Sequence, residues 1–353
     1  MTMSSSRSAE LARPVAATVG RTVGTALGTA LVLTAVAFAA VGTGGGDITW
    51  SETARSLGAH LGLPVAPLPS LVDSVVWELR APRALLAAVA GAGLATCGVV
   101  LQAVTRNALA EPYLLGISSG ASTGAVLVLV MGLGSGAVSL AGGALAGGLA
   151  AFGLVLLLLG RSAAGADRLV LTGVVVGQLF AALTSLVLLG WGDADAARGL
   201  TYWLTGSLAA ARWPSVLLCA TVVGVALLAL RLIASDLDAF AFGARTAASL
   251  GVPVAAVRAV ALVTTAGVTA VVVSSVGAIG FVGLIVPHAV RALVGPLHHR
   301  LLPASAVGGA VFLMLADTVA RTALAPKQLP AGVVTALLGV PAFLLILHRR
   351  ERR

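Results

Sequence analysis

Long apolar runs alternate with short polar segments along the chain, a pattern typical of a protein that crosses a membrane many times. The apolar runs cover residues 22–42, 84–105, 113–160, 169–190, 213–230, 253–295, 301–318 and 330–347. A glycine-rich turn at Gly132-Leu-Gly-Ser-Gly136 divides the third run, and Val276-Gly-Ala-Ile-Gly280 divides the sixth. Because one membrane helix needs about 20 apolar residues, the pattern predicts ten membrane helices.

Three polar segments are long enough to hold structure of their own. Residues 43–83 contain a Gly- and Pro-rich stretch and then a short amphipathic approach to the second helix. Residues 191–212 predict a short helix along the membrane, and residues 235–253 are too polar to span but have room for two short helices. The expected fold is therefore an all-α polytopic membrane protein.

Composition narrows the class of protein further. Of the 353 residues, 58% are hydrophobic and 10% are charged, whereas soluble domains carry about 25% charged residues. This contrast excludes an ordinary soluble enzyme and also intrinsic disorder. The net charge is +9, but the basic residues form short clusters between apolar runs, which indicates membrane topology and not nucleic-acid binding. Cys97 and Cys219 lie inside apolar runs and are predicted to pack there without a disulfide.

The distribution of basic residues predicts the orientation. With both termini inside the cell, the inner segments hold fifteen basic residues and the outer segments seven, as the positive-inside rule expects. The first run resembles a signal peptide, but its length and the many later runs favour a retained helix. The predicted regions are a cytoplasmic N-terminal tail (1–21), one transmembrane domain (22–348) and a basic cytoplasmic tail (349–353).

The chain lacks the motifs with which a transporter supplies its own energy. Its one lysine, Lys327, lies in Ala-Pro-Lys-Gln-Leu-Pro, so the G-x-x-x-x-G-K-[ST] loop that holds nucleotide phosphates is absent. Ionisable residues that could couple transport to an ion are few and lie near helix ends, namely Glu111, His288 and Asp317. Asp317 precedes Arg321 by four residues, which favours an ion pair within one helix. No metal or cofactor motif occurs, so no bound cofactor is expected.

Two features suggest contacts with partner proteins. Arg80, Arg83 and Arg321 lie on the predicted outer side, against the inside-positive trend. They either reach toward lipid phosphate or form a basic docking surface for an acidic partner. On the inner side, the stretch from Phe242 to Gly251 is either a connecting loop or a lever moved by a cytosolic ATPase.

Several motifs, in order from about residue 75 to 347, resemble the FecCD-type permease family, the membrane subunits of ABC importers for iron–siderophores, haem and cobalamin. The motifs are Leu79-Arg-Ala-Pro-Arg-Ala-Leu-Leu86, Gln102 to Ala121, Gly277-Ala-Ile-Gly-Phe-Val-Gly-Leu-Ile-Val-Pro-His288, Leu301-Leu-Pro-Ala-Ser305, Ala316-Asp-Thr-Val-Ala-Arg321 and Leu329 to Gly339. One departure is Asn107-Ala-Leu-Ala, where the family usually has Asn-Pro-Leu-Ala; this loosens the turn that enters the third helix.

The resemblance implies a type II ABC importer permease with about ten membrane helices per subunit. Its implied partners are a second permease subunit, identical or paralogous, two cytosolic ATPase subunits that use the ATP, and an extracytoplasmic substrate-binding protein. The chain would lie among lipids of a bacterial cytoplasmic membrane, without nucleic acid. We expect a ferric siderophore as substrate, with cobalamin or haem as alternatives. Less favoured readings are an ion-coupled secondary transporter, an exporter permease or a passive channel.

The resemblance also implies roles for individual residues. The residues implied in binding-protein docking are Arg80, Arg83 and Arg321. The residues implied in coupling to the ATPase are Asp238, Phe242, Gly243, Arg245, Leu250 and Gly251. Structural roles in the family motifs fall to Arg106, Asn107, Glu111, Pro112, Gly116, Gly280, Phe281, Gly283, Pro287, His288 and Asp317.

Overall fold

The computed structural model describes residues 27–45, 47–132, 137–160 and 166–351, and within these ranges the chain is helical without any β-strand. The helices are α1 (Leu27–Gly42), α2 (Trp50–His60), α3 (Ser70–Thr105), α4 (Ile117–Met131), α5 (Ala137–Leu159), α6 (Ala166–Trp191), α7 (Ala194–Leu204), α8 (Trp213–Leu232), α9 (Ala234–Ala239), α10 (Ala244–Ser249), α11 (Val254–Val276), α12 (Val282–Val294), α13 (His298–Thr322) and α14 (Ala331–Glu351).

Ten of these helices are apolar, and they coincide with the ten predicted runs. Six are long and apolar enough to cross a membrane, namely α3, α5, α6, α8, α11 and α13, while α1, α4, α12 and α14 are shorter. The predicted N-terminal tail, residues 22–26, most of the turn after Gly132 and the last two residues of the basic tail lie outside the described residues. The first part of that basic tail continues α14 as far as Glu351.

The second predicted helix is longer than its apolar run. The amphipathic approach to it is itself helical, so α3 covers 36 residues and is about 54 Å long at 1.5 Å per residue. The turn Val75–Arg80 is π-helical, and Pro82 follows it. Because proline has no N–H to donate, the wider turn before it accommodates the interrupted hydrogen-bond ladder. The N-terminal part of α3 therefore extends beyond a hydrocarbon core of about 30 Å.

Glycine contacts hold the central helices together. A Cβ atom added to Gly91 on α3 would overlap the carbonyl group of Gly309 on α13, and one added to Gly98 would overlap the backbone of Gly283 on α12. Such close approach is typical of packing between membrane helices, where small residues let the backbones meet. As a result α3 lies at the centre of the bundle, whereas α5, α6 and α8 lie at its periphery.

The polar segments form short helices at the two ends of the bundle. We call the end that holds α2 and α7 the outer end, and the end that holds α9 and α10 the inner end. Helix α7 confirms the helix predicted within 191–212, and α9 and α10 confirm the pair predicted within 235–253. Helix α2 was not predicted, although the capping box of Thr49 and Glu52, in which each side chain bonds the other's backbone N–H, is visible in the sequence. These backbone and side-chain hydrogen bonds from Thr49 lower the pKa of the Glu52 carboxyl.

Candidate docking and coupling sites

Three arginines and one aspartate meet at the outer end, where α3 lies beside α13. We call Arg80, Arg83, Asp317 and Arg321 the outer arginine cluster. The guanidinium of Arg83 donates from Nε and Nη2 to the Asp317 carboxylate over 2.9–3.1 Å, and from Nη1 to Gln328 over 2.8 Å. The Nε atom of Arg321 lies 3.1 Å from Oδ2 of Asp317, an oxygen that the Nε of Arg83 also bonds. One carboxylate thus neutralises charge on two helices, and the ion pair predicted within α13 is confirmed.

The remaining donors of the cluster hold the end of α1. Arg80 donates to the carbonyls of residues 41, 42 and 45, with its shortest bond 2.9 Å long, to Gly45. Arg321 donates to the carbonyls of Ala40 and Thr43 over 2.7 and 2.8 Å. Carbonyls at a helix C-terminus have no partner within their own helix and attract cations. The cluster therefore ties α1 and the loop after it to α3 and α13.

This geometry corrects the expected exposure of the three arginines. Their positions in the sequence predicted a docking surface or side chains that reach lipid phosphate. In the structure they are buried, with relative exposures of 6% for Arg80, 8% for Arg83 and 8% for Arg321. The error arose because Arg83 bonds a carboxylate on another helix, and Arg80 and Arg321 bond carbonyls at the end of α1 and in the loop after it, contacts that spacing along the chain does not reveal. Their role in docking stays a prediction.

At the inner end, the coupling segment (residues 235–253) presents apolar side chains to its surroundings. Phe242 is 71% exposed and Leu250 is 67% exposed, on either side of α10, and Arg245 is exposed between them. Gly243 has φ +93° and Gly251 has φ +86°, a backbone region that side chains disfavour. The two glycines thus shape the turns that bound α10, and the apolar pair forms a small surface suited to a protein partner.

Asp238 points away from that surface. Its Oδ1 accepts a hydrogen bond of 2.9 Å from the backbone N–H of His298 and lies 2.6 Å from the Nδ1 of the same residue. His298 is the first residue of α13 and is buried. An aspartate in this position satisfies an otherwise unpaired N–H at the start of a helix. Asp238 therefore joins the coupling segment to α13, a contact between residues 60 positions apart that the sequence pattern did not indicate.

Two family motifs meet in the middle of the bundle. The Tyr113 hydroxyl donates a hydrogen bond of 2.7 Å to the carbonyl of Ile279, across 166 sequence positions. The ring of Pro112 packs against Gly283, where a Cβ atom would not fit. In the turn before α4, the Asn107 side chain accepts a hydrogen bond of 2.9 Å from the Leu109 backbone. These contacts support the structural role expected of the motifs.

Unusual backbone conformations mark the ends of the same motifs. Arg106 ends α3 with φ +52°, Gly116 begins α4 with φ +73°, and Phe281 begins α12 with φ +69°. Gly280 lies beside the Tyr113 ring. A positive φ is uncommon for residues other than glycine, so Arg106 and Phe281 are held by the packing around them.

Two ionisable residues of these motifs, Glu111 and His288, are at least partly buried. Burial raises the pKa of the Glu111 carboxyl, and a hydrogen bond from the Phe281 backbone opposes that rise. His288 is buried beside Pro287 within α12, and its ring meets that of Phe343 edge to face at 6.4 Å between centroids. Among the described residues, no group of three or more His, Cys, Asp or Glu could hold a metal ion.

Known proteins similar to this chain identify its family. Residues 22–349 match the FecCD transport family. The chain is 40% identical over 315 residues to the cobalamin import system permease protein BtuC of Halobacterium salinarum, a match that covers 87% of this chain and 82% of that protein. It is also 40% identical over 284 residues to the vitamin B12 import system permease protein BtuC of Salmonella paratyphi A, covering 78% and 84%.

A solved structure resembles the whole bundle. It is a metal-chelate type ABC transporter in an inward-facing conformation, with a TM-score of 0.79 and 30% sequence identity, and the match covers 92% of this chain and 98% of the other. A match of that extent places the ten apolar helices in one shared architecture. The chain therefore belongs to the FecCD transport family and is a multi-pass membrane permease of an ABC importer.

Proposed function

We propose that this chain is the permease subunit of a cobalamin importer that depends on a substrate-binding protein. The observation that carries the substrate is the 40% identity to two permeases named for cobalamin or vitamin B12 import, each over more than three quarters of this chain. The ferric siderophore expected from the sequence has no comparable support. The metal-chelate description of the similar structure fits both substrates.

The geometry supports separate roles for the two ends, with ATPase binding at the inner end and binding-protein docking at the outer end. At the inner end, Phe242 and Leu250 enter a groove of the cytosolic ATPase, which hydrolyses the ATP, and this chain binds no cofactor. Burying a large apolar side chain contributes about 1.5–3 kcal/mol, enough to favour a specific contact. Asp238 then transmits movement of the coupling segment to α13 through His298.

At the outer end, the binding protein approaches the outer arginine cluster in a cytoplasmic membrane whose inner face holds both termini. The cluster contains three guanidinium groups and one carboxylate. Acidic residues of a binding protein would therefore replace Asp317 as the partner of Arg83 or Arg321. This exchange links docking to α13, which carries Asp317. The substrate passes between two permease subunits, identical or paralogous.

Uptake in cells that lack this chain tests the substrate. Radiolabelled cobalamin, ferric siderophore and haem are supplied in parallel, and the wild-type gene is returned on a plasmid. Loss of cobalamin uptake alone, restored by the gene, is the expected result. Loss of siderophore or haem uptake instead would overturn the cobalamin proposal and keep the importer.

Paired substitutions test the contact with the ATPase. F242A together with L250A should abolish uptake and reduce recovery of the ATPase with the purified permease. The matched control is Leu189→Ala, because Leu189 is 86% exposed on α6 but lies outside the coupling segment. If the double variant retains both the ATPase and normal uptake, the coupling segment does not bind the ATPase through this surface.

A further inference from the structure

A cleft of about 740 Å³ lies at the outer end, separate from both sites described above. Its walls are the first turns of α5 and α8, its floor is the end of α11, and α7 with the loop after it covers the top. Such a volume suits a ligand of drug size or one segment of a longer molecule, such as a single acyl chain.

The lining of the cleft is mainly apolar between the helices and more polar at α7 and the loop after it. Leu140, Leu145, Leu218 and Val276 supply apolar surface from three helices. The polar groups on α7, the loop after it and the start of α8 are Tyr202, Ser207, Arg212 and Ser215. On the floor, the hydroxyls of Ser274 and Ser275 are satisfied by the Val271 carbonyl. The Tyr202 hydroxyl lies 3.0 Å from the Ser207 hydroxyl. An elongated amphipathic molecule matches this order, with its apolar part inside and its polar part at the loop.

Arg212 gives the polar end of the cleft a positive charge. Its guanidinium is exposed, and Nη1 donates over 2.8 Å to the carbonyl of Ala211, its neighbour in the chain. Within the described ranges no acidic side chain lies within 4 Å of it, in contrast to Arg83 and Arg198, which are paired with aspartates. An arginine with its other N–H groups available is suited to a phosphate group, which accepts several hydrogen bonds.

The cleft opens toward the hydrocarbon of the bilayer. Helices α5 and α8 are peripheral, since only 28% of the most apolar stretch of each is buried. Leu217, beside Leu218 of the lining, is 70% exposed. Tyr202 and Trp203 border the cleft on α7, and aromatic residues of this kind favour the level of the lipid headgroups. A lipid can therefore enter sideways without passing through the protein.

We propose that this outer cleft binds one anionic phospholipid, with an acyl chain between α5 and α8 and the phosphate on Arg212. The bound lipid supports α7 from one side. An adjacent face of α7, with Arg198 and Thr201, lines a second cavity that reaches Pro330 just before α14, and Tyr202 borders both cavities. The loop after α7 is hydrogen-bonded to two helices. The N–H of Ser207 donates to the Val276 carbonyl at the end of α11, and the N–H of Gly332 on α14 donates to the Gly206 carbonyl. The lipid thus fixes a helix whose following loop is hydrogen-bonded to α14.

Two substitutions separate the headgroup contact from the acyl-chain contact. R212Q removes the charge, and Arg198→Gln is its control because Arg198 is exposed on α7 but does not line the cleft. Gly142→Leu fills the cleft, since Gly142 lines it and has open space where a Cβ would be. Gly153→Leu is the matched control, because Gly153 lies on the same helix with equal space but outside the cleft.

The full-length chain, purified in detergent, is titrated with phosphatidylglycerol, phosphatidylcholine or inorganic phosphate. Bound lipid is counted by native mass spectrometry, and the melting temperature is recorded. One basic residue near a headgroup contributes about 1 kcal/mol, so R212Q should weaken phosphatidylglycerol binding about fivefold and leave phosphatidylcholine binding unchanged. Gly142→Leu should remove both lipids, whereas the two control variants should behave like the wild type.

Three results would overturn the proposal. Equal binding of both lipids by the wild type and R212Q would show that Arg212 does not recognise the headgroup. Stabilisation by inorganic phosphate equal to that by phosphatidylglycerol would identify a site for free anions. A change of oligomeric state in Gly142→Leu, with lipid binding retained, would show that a second copy of the chain covers the cleft.

Discussion

Replacing Asp317 with alanine should destabilise the protein strongly, because it removes the carboxylate that Arg83 and Arg321 share. The side chains are 1% exposed for Asp317, 9% for Arg83 and 6% for Arg321. Breaking a buried ion pair by removing one partner costs about 3–5 kcal/mol, since the remaining charge stays buried without compensation. Here two guanidiniums lose their partner, so the loss should lie in the upper part of that range.

An exposed pair in the same chain is the matched control. Asp195 and Arg198 approach to 2.6 Å, closer than the buried pairs, but their side chains are 85% and 77% exposed. Exposed ion pairs contribute about 0–1 kcal/mol. Asp195→Ala should therefore leave stability almost unchanged. Both substitutions remove one aspartate that pairs with arginine, so the difference between them reports the burial of Asp317 and its second arginine partner.

Thermal unfolding in detergent measures the effect, followed by tryptophan fluorescence at a single heating rate. At roughly 2 °C per kcal/mol, D317A should melt about 8–10 °C below the wild type, and the Asp195 variant within about 2 °C of it. The double variant of D317A with Arg83→Met should recover part of the loss, because one fewer buried charge is then unpaired. Equal melting of the two aspartate variants, or no recovery in the double variant, would refute the reasoning.

Three further predictions concern helix packing and the coupling segment. Gly98→Leu should destabilise the chain by about 1–3 kcal/mol or prevent folding, since the new side chain would enter the backbone of α12, whereas Gly267→Leu meets open space; thermal unfolding compares the two. Asp238→Ala should cost about 1 kcal/mol by removing the cap of α13, and hydrogen exchange at His298 should rise while the rest of α13 stays protected. Gly243→Val should cost about 1–3 kcal/mol at φ +93°, so it should lower the melting temperature by about 2–6 °C and reduce ATPase binding. Unchanged hydrogen exchange at His298 would contradict the Asp238 prediction, and unchanged ATPase binding would contradict the Gly243 prediction.

The helices themselves could be predicted because a membrane imposes a simple rule. Inside hydrocarbon every backbone polar group must find a partner in its own segment, so an apolar run of sufficient length is also a helix. The breaks near Gly132 and Val276 could also be predicted, because glycine clusters interrupt the apolar pattern there. Helix α2 was missed because it is short and polar, and its local signal, the Thr49–Glu52 capping box, does not depend on hydrophobicity.

The exposure of charged side chains could not be predicted in this way. Arg83 is separated from Asp317 by 234 positions, and Asp238 from His298 by 60. A periodic pattern reports which face of one helix is apolar, but it carries no information about which other helix will supply a counter-charge. For this reason the three outer arginines were expected at the surface, and Asp238 was expected to face the ATPase.

The sequence by itself determined the class of protein, the number and order of its apolar helices and, through separate motifs, its family. Only the tertiary structure decided that the outer arginines are buried around Asp317, that Asp238 caps α13, and that a cleft with Arg212 at its polar end lies between α5 and α8. The physical reason is the range of the interactions. Backbone hydrogen bonding and hydrophobic length act within one segment, whereas ion pairs, caps and clefts arise where segments distant along the chain meet.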